Sequence, residues 1–300
     1  MGAIDAFTRT FSIVIENKRL YLLALIMSLV LAPIGAYLIP SDLSGSVTQG
    51  HNVSSTRNGS VIIEEYGTSL GGEEMKDFVE LLEGLAVYFV IALILGAVFE
   101  YGVTKGILLG LGGEGYSLGD LLVEGVKHSP AVILINLVYG LVMLAFVGIA
   151  AIPMVIGAFL MPTGAVLIFL GLPLMLVVVF FTTGLSSLAV PLYVDRGKVG
   201  AAFEAFGLAF NNFLSTAGFG FLLGIGVMAI AIVVGPVAFV AQTIFPGNVA
   251  LYASALLQAP FDALMYLFIW AGGVAFYREL GRMEELKKAD EELKELGIEL

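Results

Sequence analysis

Long apolar runs separated by short polar or amphipathic breaks set the pattern of this chain. No charged residue occurs between Lys127 and Asp195, and only Asp262 occurs between Leu214 and Arg278. Runs of about 20 or more apolar residues match a bilayer core about 30 Å thick. They predict six spans: Leu20–Ile39, Leu82–Leu109, Pro130–Ile152, Val166–Leu188, Gly218–Val240 and Tyr252–Phe276. By length alone the charge-free stretch 129–194 could hold three spans. Pro153, Gly157 and Pro162 interrupt it and favour two. The predicted fold is therefore all-α: a polytopic membrane protein with six transmembrane helices.

The breaks have a pattern of their own. In 191–214, PLYVDRGKVGAAFEAFGLAFNNFL, helical spacing gathers Val199, Phe203, Phe206, Phe210 and Phe213 on one face, with Lys198, Glu204 and Asn211 off it. A short helix with one aromatic face belongs at a membrane surface. Residues 3–17 repeat the pattern with Ile4, Phe7, Phe11 and Val14, and residues 118–126 with Leu118, Leu121, Leu122 and Val126. The expectation is three short amphipathic interfacial helices, each leading into a pair of spans joined on the far side. They would form three helix-hairpin units around a common centre.

Polar sequence is concentrated in two places. Residues 41–77 form an outer loop rich in Ser, Gly, Thr and Asn, in which 61–67 could pair as a strand. Asn52 and Asn58 there both fit the N-glycosylation acceptor pattern. Residues 279–300 read as a charged cytoplasmic C-terminal helix following a membrane domain over 1–278. Leu286, Ala289, Leu293, Leu296 and Leu300 recur at heptad spacing, and packing on the chain's own cytoplasmic face is preferred to a coiled coil. With the N-terminus inside, 12 of the 14 Lys and Arg residues fall on the inner side, only Arg57 and Lys76 lying outside. The positive-inside rule then puts both termini and the interfacial helices in the cytoplasm, with the plasma membrane as the location.

Composition changes the picture only by exclusion. The hydrophobic content is 59% and the charged content 13%, outside the range of soluble domains. A formal charge of −11 argues against nucleic-acid binding. Cysteine is absent, so disulfides and thiolate metal sites are excluded, and the two histidines fall on opposite sides of the membrane. No metal or cofactor site is expected. Gly110-x-Gly112-x-x-Gly115 has the letters of a dinucleotide motif but follows a membrane helix rather than a strand.

Two intramembrane acids stand out. Asp262 shares a face of the sixth span with Gln258 and Tyr266, beside Pro260. Glu100 lies in the inner part of the second span. An acid within a span is costly and should face the bundle interior with a partner. Asn136, Thr183, Ser186 and Ser187 are the polar residues placed to meet these acids in the centre. Such a cluster either serves a proton- or cation-coupled pathway or fixes helix packing through hydrogen bonds.

The stretch from Leu188, LAVPLYVDRGKVGAAFEAFGLAFNNFLSTAGFGFLL, resembles a recurrent element of uncharacterised prokaryotic membrane proteins. In those, a span ends in Pro, an acid and a small turn follow, and an amphipathic helix and an Asn lead into the next span. The family usually places Trp or Arg after that Asn, where Phe213 stands here. Over 118–277 the chain is similar to the six-span domain fused to some membrane-bound glycerophosphodiester phosphodiesterases, a domain that also occurs alone. The resemblance implies a membrane module and carries no phosphodiesterase activity with it.

Three functions are expected, in order. The first is a non-enzymatic module that organises lipid or a membrane partner, a second copy of the chain included. The second is a small-solute or ion transporter or channel using Glu100 and Asp262. The third is an intramembrane lipid-modifying enzyme, disfavoured because the sequence offers no nucleophile–base pair.

Overall fold

The computed structural model describes residues 2–38 and 72–295, and every regular element among them is helical. The helices are α1 (Gly2–Glu16), α2 (Lys18–Leu38), α3 (Gly72–Leu111), α4 (Leu118–Phe159), α5 (Ala165–Arg196), α6 (Val199–Ala202), α7 (Glu204–Asn211), α8 (Phe213–Ile244) and α9 (Gly247–Glu295). Six of them, α2, α3, α4, α5, α8 and α9, are long and apolar enough to cross a membrane. The sequons at Asn52 and Asn58, most of the 41–77 loop, and Leu296 and Leu300 lie outside the described residues.

Several boundaries differ from expectation. The segment 118–126 is not a separate interfacial helix: it is the first part of α4, which continues through Pro130 and Pro153. A proline within a membrane helix is tolerated where nearby groups re-satisfy the backbone, and here the Ser129 hydroxyl donates to the Val126 carbonyl at 2.9 Å. α3 begins at Gly72, inside the stretch expected to be loop, because 73–83 is rich in the strong helix formers Glu, Leu, Lys and Met. The charged tail continues α9 directly as far as Glu295. Gly197 ends α5 in a left-handed conformation (φ 69°), its N–H bonded to the Tyr193 carbonyl, which separates the span from α6.

The spans pack as three antiparallel hairpins, α2/α3, α4/α5 and α8/α9, whose neighbours close into a ring because α9 also packs on α2. α3, α5 and α9 touch one another, so the second helix of each hairpin lies inside and the first outside. Each segment that precedes a hairpin packs on the inner helix of the hairpin before it. The start of α4 packs on α3, α6 and α7 on α5, and α1 on α9.

Two of these junctions share one design. A Cβ on Gly125 of α4 would strike the Val98 carbonyl, and a Cβ on Gly102 of α3 would meet the Leu121 carbonyl. At the next junction a Cβ on Gly220 of α8 would strike the Phe180 carbonyl, and one on Gly184 of α5 the Thr216 carbonyl. Each glycine therefore lies four residues after the carbonyl that its junction partner approaches. Small residues let membrane helices approach backbone to backbone, which is the usual basis of their association. Where α2 meets α9, fully buried Ala24, Ala263 and Ala271 take the small positions.

α1 does not stand apart from the bundle. Its Gly2 approaches Met283, its Thr10 approaches Gly272, and its Phe11 packs edge-on against Phe268 at 5.2 Å. α1 thus runs antiparallel along α9, burying Ala6, Thr10 and Ile13, while Ile4 and Ile15 stay exposed. The opposite end of the bundle is looser. Beyond Leu141 the α4/α5 hairpin packs largely on itself, with Gly157 against Gly164 and Gly171 against Met154. Leu144, Phe159 and Phe169 point outward there, 70%, 86% and 79% exposed.

Candidate functional site

The acid in α3 has a partner. Asn136 of α4 donates from Nδ2 to Glu100 Oε2 at 2.7 Å. The next residue of α3, Tyr101, is buried and stacks on the His128 ring of α4, with centroids 4.4 Å apart and planes 7° from parallel. His128 Nδ1 lies 2.8 Å from the Tyr193 hydroxyl of α5. One cluster therefore ties α3, α4 and α5 together, and an ion pair between Lys105 and Glu124 adds to it. The sequence offered Glu100 and Asn136 as a pair of polar positions; the Tyr101–His128–Tyr193 group depends on a tertiary meeting that no spacing signals.

Thr183, Ser186 and Ser187 do not reach either acid. Their hydroxyls bond carbonyls of their own helix, those of Val179 (2.8 Å), Thr183 (3.0 Å) and Gly184 (2.8 Å). Serine and threonine in a helix commonly satisfy themselves this way.

Asp262 is differently placed. It is half-buried on α9, one turn before Tyr266. Tyr266 stacks in turn on Trp270, with centroids 5.6 Å apart and planes 23° from parallel. Gln258 turns away and donates to the Ser254 hydroxyl at 2.6 Å. The Tyr21 hydroxyl of α2 donates to the Pro260 carbonyl at 3.0 Å. Among the described residues no hydrogen bond or ion pair reaches the Asp262 carboxylate.

Matches to this chain were sought among protein-family models, curated proteins and solved structures, and there are none. The geometry must then be taken on its own chemistry.

The aromatic stripe of α6 and α7 faces the protein as well as its surroundings. Phe206 stacks on Tyr139 at 5.1 Å, and both Phe210 (5.0 Å) and Phe213 (4.7 Å) pack on Phe181. The Tyr139 hydroxyl donates to the Ala202 carbonyl at 2.6 Å. Val199 packs partly buried against the core, and Phe203 stays 42% exposed.

Among the cavities lined by described residues, three bear on the site. The first, about 420 Å³, is lined by Asp195, Arg196, Tyr277, Arg278, Arg282, Glu284 and neighbours. Three of its charged groups have partners: Tyr277 donates to Asp195 at 2.6 Å, Arg282 meets Glu279 at 2.7 Å, and Arg196 pairs with Glu204. The second, about 360 Å³, is an apolar groove lined by Pro33, Ile34, Tyr37, Leu38, Val87 and Ile91 of the first hairpin. The third, about 140 Å³, lies beside Lys105, Tyr116 and Glu124. Neither Glu100 nor Asp262 lines any of them. Among the described residues no group of three His, Asp or Glu is placed to hold a metal ion.

Proposed function

We propose that the chain is a non-enzymatic membrane module that gathers lipid or a membrane partner around three hairpins. It would sit in the plasma membrane with both ends of the chain in the cytoplasm, the side to which 12 of its 14 basic residues are assigned. One observation carries this reading. The polar side chains within the spans are mostly satisfied in pairs or on their own helix, while the α4/α5 hairpin offers its aliphatic and aromatic surface outward. The aromatic stripe of α6 and α7 and the resemblance to a fused membrane domain point the same way. The occupants the surface favours are acyl chains and the apolar helices of a partner.

The test is reconstitution with a photoactivatable diacyl lipid. Crosslinks should concentrate on 141–177 over the packed end of the bundle, and liposomes carrying the protein should show neither lipid turnover nor solute flux above empty ones. Flux that disappears in Asp262→Asn would replace the module with the second reading, a small-solute or ion transporter. That reading is favoured by the carboxylate of Asp262 within the span, which no hydrogen bond or ion pair reaches among the described residues.

A further inference from the structure

On α5 the charge-free run that follows Lys127 ends at Asp195 and Arg196, and on α9 the first charge after Asp262 is Arg278. The Tyr277 hydroxyl donates to Asp195 at 2.6 Å, so both helices leave the apolar zone at one level. That is the level at which a bilayer passes from acyl chains to headgroups. The cavity of about 420 Å³ lies there, between the end of α5, Leu208 of α7 and two turns of α9. Its size falls within the range of small-molecule sites, roughly 300–1,000 Å³.

Gly281 keeps this cavity open. It lines the space from the middle of the α9 face, and a Cβ built on it meets no atom within 4 Å. Neither a close helix approach nor a left-handed turn calls for glycine at this position. Glycine weakens a helix relative to alanine, so its effect here is the empty space above it.

Three arginines and three acids line the cavity. Asp195, Arg196 and Arg282 have partners in Tyr277, Glu204 and Glu279. Among the described residues no hydrogen bond or ion pair reaches Arg278, Glu284 or Glu285. Arg278 and Glu284 flank Gly281, three residues before it and three after, roughly 9 Å apart along the helix axis at 1.5 Å per residue. A guest over Gly281 therefore meets a free guanidinium at one end and two carboxylates at the other. A simple anion would face the acids, and a simple cation would face Arg278. A guest that carries both signs satisfies both ends. Phosphate matches the planar fork of arginine, and an ammonium matches the carboxylates.

We propose that this cavity binds a phosphoethanolamine group, with its phosphate on Arg278 and its ammonium on Glu284 and Glu285. The proposal deepens the module reading and rests on it for the level of the cavity in the membrane. Two sources carry the group, a phospholipid headgroup and a free soluble phosphodiester.

The experiment offers the full chain in detergent an equimolar mixture of phosphatidylethanolamine and phosphatidylglycerol, and native mass spectrometry identifies the lipid retained. Calorimetry then titrates the delipidated full chain with glycerophosphoethanolamine, with glycerophosphoglycerol as the control. The expected result is a preference for the ethanolamine compound in either arm. Retention of phosphatidylethanolamine makes the lipid headgroup the source; soluble binding without lipid retention makes it a free solute. Arg278→Gln should weaken binding roughly tenfold, about the worth of one hydrogen bond to a charged group. Replacing Glu284 and Glu285 together by Gln should remove the preference for ethanolamine over glycerol. Gly281→Leu fills the cavity and should abolish binding with helicity and elution position unchanged; if it does not fold, Arg278→Gln decides. The photocrosslinks over 141–177 that test the module reading involve none of these residues and should be the same in every variant. The proposal is overturned if no ethanolamine compound binds in either arm, if the glycerol compounds bind equally well, or if Arg278→Gln binds like the wild type.

Discussion

The Asn136 side-chain amide donates to the Glu100 carboxylate across 2.7 Å, joining α4 to α3 through a bond between residues 36 positions apart. Interhelical hydrogen bonds in membrane proteins contribute about 0.6 kcal/mol on average and up to about 1.7. Removing Asn136 leaves the acid without this donor, so Asn136→Leu should cost toward the upper end of that range. Glu100→Gln preserves an acceptor and should cost less. A double-mutant cycle of Asn136→Leu with Glu100→Leu, which removes the acceptor, checks this by thermal stability in detergent; additive effects of those two changes would show that the bond contributes nothing.

Gly125 and Gly220 should tolerate no side chain. Alanine at either would drive its Cβ into the Val98 or Phe180 carbonyl, so Gly125→Ala and Gly220→Ala should each lower the melting temperature by several degrees. Gly140 and Gly224 have open space around the same position. Alanine there should be neutral or slightly stabilising, since helical glycine costs about 1 kcal/mol relative to alanine. Four melting curves decide it, and equal losses at all four positions would refute the close approach.

Tyr116 predicts a pH dependence. Burial pushes its phenol above the usual value of 10.0, and the nearby Arg19 pulls it part of the way back. The unfolded chain therefore loses this proton first. The stabilising contribution is complete below pH 10 and disappears as the pH rises through the higher folded value. The melting-temperature difference between wild type and Tyr116→Phe should be constant below that point and move against the wild type above it. A difference that grows in favour of the wild type at high pH would have the wrong sign.

Because the chain has no cysteine, one introduced thiol is a unique label. Lys198→Cys, in the connection before α6, and Met161→Cys, in the exposed turn between α4 and α5, should react from opposite sides of the membrane. A membrane-impermeant maleimide on intact cells should label only the second. Labelling of Lys198→Cys alone would invert the orientation.

The six spans are legible because their signal is additive: charge-free runs such as 129–194 declare themselves residue by residue. Where one span begins is less legible. Pro130 ordinarily marks a helix start, yet α4 passes through it with Ser129 bonded to the Val126 carbonyl. The same locality limits the site. Thr183, Ser186 and Ser187 have the composition of a polar centre, but each finds a carbonyl within its own helix before it can find an acid. His128 could be matched to Tyr101 and Tyr193 only once α3, α4 and α5 were brought together. The amphipathic stripe of 3–17 was legible as a pattern, but its packed side was not. Small Ala6 and Thr10 go to α9, and the bulky Ile4 stays outside.

That lengthwise pairing of α1 with α9 bears on biosynthesis. Thr10 and Gly272 are separated by about 260 residues, so at 5–20 residues per second a ribosome needs roughly 13–50 s to make the second after the first. Throughout that interval α1 has no inner helix to lie on, and the groove between α9 and α8 that receives it does not exist. α1 is thus covered only after α9 has been made, and the ring cannot close before then. Until then the nascent chain carries an uncovered Ala6–Thr10–Ile13 face, the surface at which an insertion chaperone would have to hold it.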